Sequence, residues 1–122
     1  MKNKKLIFVY NANSGLISGL IDFAHKNLSP NTYECNLCAV TYGNLGMKKE
    51  WKDFLRSLDY NLEFLHKDEL YKKYPEKNIT SFPVVFIQTD KNIEVLIDTE
   101  SINKAKSVNN LKTLVLNKIS VL

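Results

Sequence analysis

The stretch that decides the fold is FPVVFIQTDKNIEVLI, residues 82–97 of this 122-residue chain. Val84 to Ile87 form a continuous apolar run that is typical of a buried strand. Farther on, Ile93, Val95 and Ile97 occupy alternate positions, as in a strand with one covered face. Residues 89–92 between the two runs are polar and short enough for a turn. The stretch therefore predicts an antiparallel hairpin.

The N-terminal part of the chain predicts a strand followed by a helix. Residues 6–10 are an apolar run suited to a strand that is buried on both faces. Residues 11–15 interrupt this run, and Asn13 or Ser14 is a natural N-cap. Apolar residues then recur at helical spacing as far as Leu28. A strand, a tight polar turn and a helix are the opening of a βαβ unit.

The remaining segments complete an α/β pattern. Apolar residues at positions 47, 51, 54, 55 and 58 predict an amphipathic helix, with a short strand at 39–42 before it and another at 62–65 after it. A short helix is predicted at 68–74, and Ser101 or Ser107 is expected to cap the closing helical region. The predicted order is β-α-(β)-α-β-α-β-β-α, a mixed sheet with helices on both faces. No linker or repeat divides residues 1–122, so a single domain is predicted.

Composition and charge exclude some classes of function. Hydrophobic residues make up 44% and charged residues 25% of the chain, and the net charge is only +4. Lysines supply almost all of the positive charge, and most have acidic neighbours, so no one-sided basic stripe for nucleic acid is expected. No apolar run approaches the roughly 18 residues that span a bilayer. A cytoplasmic protein without nucleic-acid or membrane partners is predicted, whereas the substrate and oligomeric state stay open.

The sharpest chemical signal is Cys35-Asn36-Leu37-Cys38, which contains the only two cysteines of the chain. Thiol–disulfide exchange would use one cysteine to attack a disulfide and the other to resolve it. Alternatively, Cys35 and Cys38 could bind zinc in a non-enzymatic module with one or both of His25 and His66, the only histidines; with one histidine, a carboxylate or an outside ligand would complete the site. In a third interpretation the cysteines are inert, in a domain that binds a small molecule or a protein. Both reactive interpretations require a turn, because side chains three positions apart on a strand point to opposite faces.

Residues 61–119 resemble the second half of a thioredoxin- or glutaredoxin-like domain. The resemblance is carried by NLEFL at 61–65, TSFPVVFI at 80–87, the hairpin and the final helix, and residues 6–28 match the family's first strand and helix. It implies a thioredoxin-like fold with a cis-proline at Pro83 that borders the active site. The family has its Cys-x-x-Cys between the first strand and helix, where this chain has NANS at 11–14. A displaced Cys-x-x-Cys is therefore expected, with a protein or a small disulfide as substrate.

A pocket is predicted from Tyr10, Asn11, Asn13, Ser14 and Pro83, because ligands of open α/β sheets bind beyond the carboxyl ends of strands. The whole chain also resembles a family of small bacterial proteins without an established activity, which are sometimes labelled GTPase. The shared motifs are VYNANSG at 9–15, the Cys-x-x-Cys and FLHKDE at 64–69. The chain has no G-x-x-x-x-G-K-[ST] phosphate loop, so GTPase activity is not predicted.

Overall fold

The computed structural model describes residues 4–11, 36–43, 46–77, 79–90 and 92–122. The strands in this part of the chain are β1 (Lys4–Tyr10), β2 (Tyr42–Gly43), β3 (Gly46–Met47), β4 (Asn61–His66), β5 (Val84–Thr89) and β6 (Asn92–Ile97). The helices are α1 (Asn36–Thr41), α2 (Lys49–Ser57), α3 (Lys67–Lys73), α4 (Thr99–Lys104) and α5 (Val108–Ser120). The helix predicted to reach Leu28 lies outside the described residues. No described helix has both the length and the apolar character that a membrane crossing requires.

Four strands form a mixed sheet in the order β4-β1-β5-β6. Strand β1 runs parallel to β4, so that Tyr10 pairs with His66, and antiparallel to β5, so that Val9 pairs with Val84. Strands β5 and β6 form the predicted hairpin, which is confirmed. Its turn includes Asp90, which has a positive φ of 55°, a conformation that aspartate tolerates better than most residues. The predicted mixed α/β class is therefore confirmed.

The core occupies both faces of the sheet. Strand β1 lies between β4 and β5, and its residues 6–10 are at most 3% exposed, which explains their uninterrupted apolar run. On one face, Leu6 and Phe8 belong to a cluster with residues of α1, α2, α4 and α5. On the other face, Ile7 and Val9 belong to a cluster with Leu70 of α3. Successive β1 side chains thus enter different clusters, as the period of a strand requires.

The strand predicted at 39–42 is wrong. Residues 36–41 form helix α1, and only Tyr42 and Gly43 are extended, in a two-stranded ribbon with β3. The helix is favoured because Leu37 and Val40 lie three residues apart on one helical face, where both are buried. The Thr41 hydroxyl donates to the carbonyl oxygen of Leu37 at 2.6 Å, which satisfies a polar group that would otherwise be buried alone.

The closing helical region consists of two capped helices. Asp98 begins α4, where its Oδ1 accepts a hydrogen bond from the Ser101 backbone at 2.8 Å. Hydrogen bonds from Ser101 lower the pKa of Asp98 below its ordinary value. Ser107 begins α5 in the same way, since its hydroxyl oxygen accepts from the Asn110 backbone at 3.1 Å. Ser107 is therefore one of the two caps, whereas Ser101 lies in the first turn of α4.

Replacing Asp98 by alanine should lower the free energy of unfolding by about 1 kcal/mol, because an orphan N–H in the first turn of α4 loses its acceptor. Urea denaturation followed by circular dichroism measures the change. Asp98→Asn retains an oxygen acceptor and should lose less. Glu100→Ala is the control, since this exposed residue forms a solvent-screened pair with exposed Lys104 across the surface of the helix. Equal losses in Asp98→Ala and Glu100→Ala would contradict the capping role.

Candidate functional site

Cys38 lies in the first turn of α1 and is only 6% exposed. Its side chain belongs to the larger core cluster, together with Leu37 and Val40 of the same helix. Residues 36–38 of the motif are therefore helical and not extended. Cys35, the residue directly before the first residue of α1, lies outside the described part of the chain.

The carboxyl ends of β1 and β4 bring several polar side chains to one edge of the sheet. Tyr10 and His66 are paired in register, and their rings are 6.0 Å apart. The Tyr10 hydroxyl lies 3.4 Å from the hydroxyl of Tyr42, which follows α1 directly. Tyr10 is 3% exposed and belongs to the core. The contact between the two phenols therefore links the core to the segment that follows α1. We call the residues of this edge, Tyr10, Asn11, Tyr42, His66, Lys67 and Glu69, the carboxyl-edge cluster.

His66 and Glu69 are joined by two contacts. The His66 backbone N–H donates to Glu69 Oε1 at 2.8 Å, and His66 Nδ1 contacts the same oxygen. Both bonds lower the pKa of Glu69 below its ordinary value, and the bond from the His66 backbone has the larger effect. The bond from the His66 backbone to the Glu69 carboxylate is the carboxylate half of a capping box at the start of α3. An imidazole held by a carboxylate can also exchange protons with a ligand.

A cation also lies in the carboxyl-edge cluster. Lys67 Nζ is 3.5 Å from Asn11 Oδ1, to which it donates. Lys67 follows β4 and Asn11 follows β1, so the contact joins the two chain segments that leave the sheet at this edge. The combination of an ammonium, an amide and a phenol is suited to a small polar or anionic ligand.

Pro83 lies at the same edge of the sheet. It directly precedes Val84, which pairs with Val9, and the Phe82–Pro83 peptide bond is cis. Of the predicted pocket, the structure thus brings Tyr10, Asn11 and Pro83 to one edge, whereas Asn13 and Ser14 lie outside the described residues.

The predicted metal ligands are described only in part. His25 and Cys35 lie outside the described residues, Cys38 is a buried residue of α1, and His66 contacts Glu69 at the carboxyl edge. Within the described ranges, no group of three histidine, cysteine, aspartate or glutamate side chains could hold a metal ion. The zinc interpretation stays a prediction that depends on two residues beyond these ranges.

Sequence reasoning did not assign a role in a site to Tyr42, Lys67 or Asn36. The hydroxyl pair of Tyr42 depends on a contact across 32 positions of the chain, which periodicity does not reveal. Lys67 and Glu69 stand in the FLHKDE motif, and the His66-x-x-Glu69 spacing is the available signal for a capping box. The role of Asn36 depends on contacts with residues 66 and 69 positions later in the chain.

An open groove of about 560 Å³ lies beside the hairpin. Val84 and Val95 contribute apolar surface to it, and Asp98 and Glu100 contribute carboxylates. None of the described residues of the predicted pocket lines this groove. No residue of the carboxyl-edge cluster lines it either, although Ser81 and Val84 of its lining lie close to Pro83 in the chain.

Comparisons with models of known protein families, with curated proteins and with solved structures found no match for this chain.

Proposed function

We propose that this chain is a small thioredoxin-like protein in which Cys35 and Cys38 exchange between a dithiol and an intramolecular disulfide. The sheet supports a fold of this type through its order, its parallel β1–β4 pair and its antiparallel β5–β6 hairpin.

The observation that carries the proposal is the helical conformation of the residues from Asn36 onward. In an extended strand, two side chains three positions apart point to opposite faces and cannot be bridged. In a helical turn they share one face. Helix α1 begins one residue after Cys35 and contains Cys38, so the described part of the motif, residues 36–38, is helical and not extended, which supports the proposal.

The burial of Cys38 supports different roles for the two thiols. A bulky disulfide has little access to a side chain that is 6% exposed. Cys35 therefore attacks one sulfur of the substrate disulfide, and one substrate thiol leaves. Cys38 then attacks the sulfur of Cys35 and releases the second substrate thiol. The pair becomes a disulfide, and two electrons pass to the substrate, which is reduced to two thiols.

Treatment of the folded protein with oxidised glutathione, followed by an acid quench and thiol titration in denaturant, tests the proposal against an untreated sample. We expect two titratable thiols in the reduced chain and none after oxidation, with the mass of an internal disulfide. Cys38→Ser should accumulate a mixed disulfide between Cys35 and glutathione. Cys35→Ser, the matched variant, should form far less, because Cys38 is buried.

Two outcomes would contradict the proposal. If both thiols of the wild-type chain stay titratable after oxidation, the pair does not form a disulfide. If protein purified without a chelator contains one zinc ion per chain, and both serine variants lose it, the zinc-binding module replaces thiol exchange. Elemental analysis of the same preparations measures the metal content.

A further inference from the structure

The side chain of Asn36, the first residue between the two cysteines, is hydrogen-bonded to backbone groups at the end of α4. Its Nδ2 donates to the carbonyl oxygen of Ile102 at 2.8 Å and to that of Ala105 at 2.7 Å. Ile102 lies in the last turn of α4, and Ala105 is the residue that ends this helix. One amide group thus joins the start of α1 to the end of α4.

These two bonds add donors at the C-terminal end of α4, where the last carbonyls lack the usual intrahelical partner four residues later. The Ile102 oxygen already accepts from the Ala105 backbone N–H at 3.0 Å, so Asn36 is its second donor, and Asn36 also donates to the Ala105 carbonyl. Both hydrogens of its Nδ2 are then used. The neighbouring Leu37 is 1% exposed and packs in the same core cluster as Ile102 and Ala105. Both residues between the cysteines are therefore fixed to the body of the protein.

We propose that Asn36 is a positioning residue for the thiol pair, an inference that rests on the function proposed above. The two bonds fix Asn36 at the start of the helical turn that leads to Cys38. A group held in its bonded arrangement loses less conformational freedom when the bond forms. The Asn36 bonds therefore favour the disulfide over the dithiol.

The equilibrium with glutathione measures this effect directly. The reduced chain and one oxidised glutathione give the disulfide form and two reduced glutathiones, so that two electrons and two protons leave the cysteine pair. We expect Asn36→Ala to lower the equilibrium constant for this oxidation by roughly fivefold, the effect of about one lost hydrogen bond. Asn109→Ala is the matched control, since Asn109 is exposed on α5, and it should leave the constant unchanged.

Unfolding of the oxidised and reduced forms separates positioning from simple support of the fold. A positioning role predicts that Asn36→Ala destabilises the oxidised form more than the reduced form. Equal destabilisation of both forms, with an unchanged glutathione equilibrium, would overturn the inference and leave thiol exchange intact. A wild-type chain that forms no disulfide would instead remove the proposed function itself. If Asn36→Ala does not fold, Asn36→Gln displaces the same amide, and an unchanged constant in that variant would overturn the inference.

Discussion

Replacing Trp51 by alanine should lower the free energy of unfolding by about 4 kcal/mol, the largest loss that we expect from a single substitution in this chain. Trp51 is 1% exposed on α2. Its ring meets Phe8 of the central strand edge-on, with 6.0 Å between the centroids, and lies 5.4 Å from Phe54. Alanine would leave a large cavity between α2 and the sheet, because the neighbouring side chains belong to a packed core and relax only partially.

Urea denaturation followed by circular dichroism measures this loss without the fluorescence of the removed indole. Trp51→Phe keeps an aromatic ring and should lose clearly less than Trp51→Ala. Val121→Ala is a suitable control, because Val121 is 80% exposed and should change stability by less than about 0.5 kcal/mol. A loss below about 1.5 kcal/mol in Trp51→Ala would show that α2 contributes little to the core.

Replacing Glu63 by glutamine should lower the free energy of unfolding at neutral pH by about 2 kcal/mol, the range for hydrogen bonds to charged groups. The Glu63 side chain is 16% exposed on β4. Its carboxylate lies 3.0 Å from Lys5 Nζ and contacts Lys73 Nζ, and it accepts from the Tyr74 hydroxyl at 3.2 Å. The neutral amide would leave Lys5 partly buried without a counter-charge. Because Lys73 is half exposed, solvent screens its share of the effect.

The contribution of Glu63 should also depend on pH. Burial by itself raises the pKa of this carboxyl, but hydrogen bonds from Lys73 and Lys5 outweigh it, so the pKa of Glu63 is below the ordinary 4.5. The unfolded chain then takes up the proton before the folded chain does as the pH falls. The stabilisation is therefore complete well above pH 4.5 and is lost as the pH falls through the lowered pKa of the folded state.

Unfolding of the wild type and Glu63→Gln between pH 7 and pH 3 tests the dependence. The difference between the two proteins should be largest at pH 7 and should shrink steadily in acid. Carboxylates such as Glu69 and Asp98, whose pKa values are also lowered, affect both proteins equally and cancel in the difference. Glu76→Gln, an exposed control, should behave as the wild type. A constant difference across this range would contradict an ionic role for Glu63.

The elements that the sequence predicted well have patterns that are complete within a few residues. The hairpin follows from two apolar runs around a polar turn, and α2 follows from apolar residues at helical spacing. Strand β1 follows from an unbroken apolar run, which only a strand with two covered faces can bury. The segment at 39–42 was misassigned because a short apolar run fits a strand as well as a helix. Packing against the surrounding core decides between the two.

The candidate site was predictable only in outline. The Cys-x-x-Cys and the polar residues after β1 were visible as motifs, and the rule for strand ends predicted the edge of the sheet that gathers Tyr10, Asn11 and Pro83. The contacts of Tyr42 and Asn36 could not be predicted in this way. Each joins residues at least 32 positions apart, so no local pattern includes both partners.

The amino-acid sequence by itself determined the order of apolar runs and helical stripes, and with it the α/β class and the hairpin. Each strand or helix buries its own apolar face, and the spacing of its apolar residues shows which kind of element it is. Only the tertiary structure decided that Cys38 lies in a helical turn and that Glu63 contacts two lysines. It also decided that the Asn36 side chain donates hydrogen bonds to carbonyl groups at the C-terminal end of α4. These features depend on which elements become neighbours. That choice is made by packing between distant segments, where the energy of one contact depends on all the others.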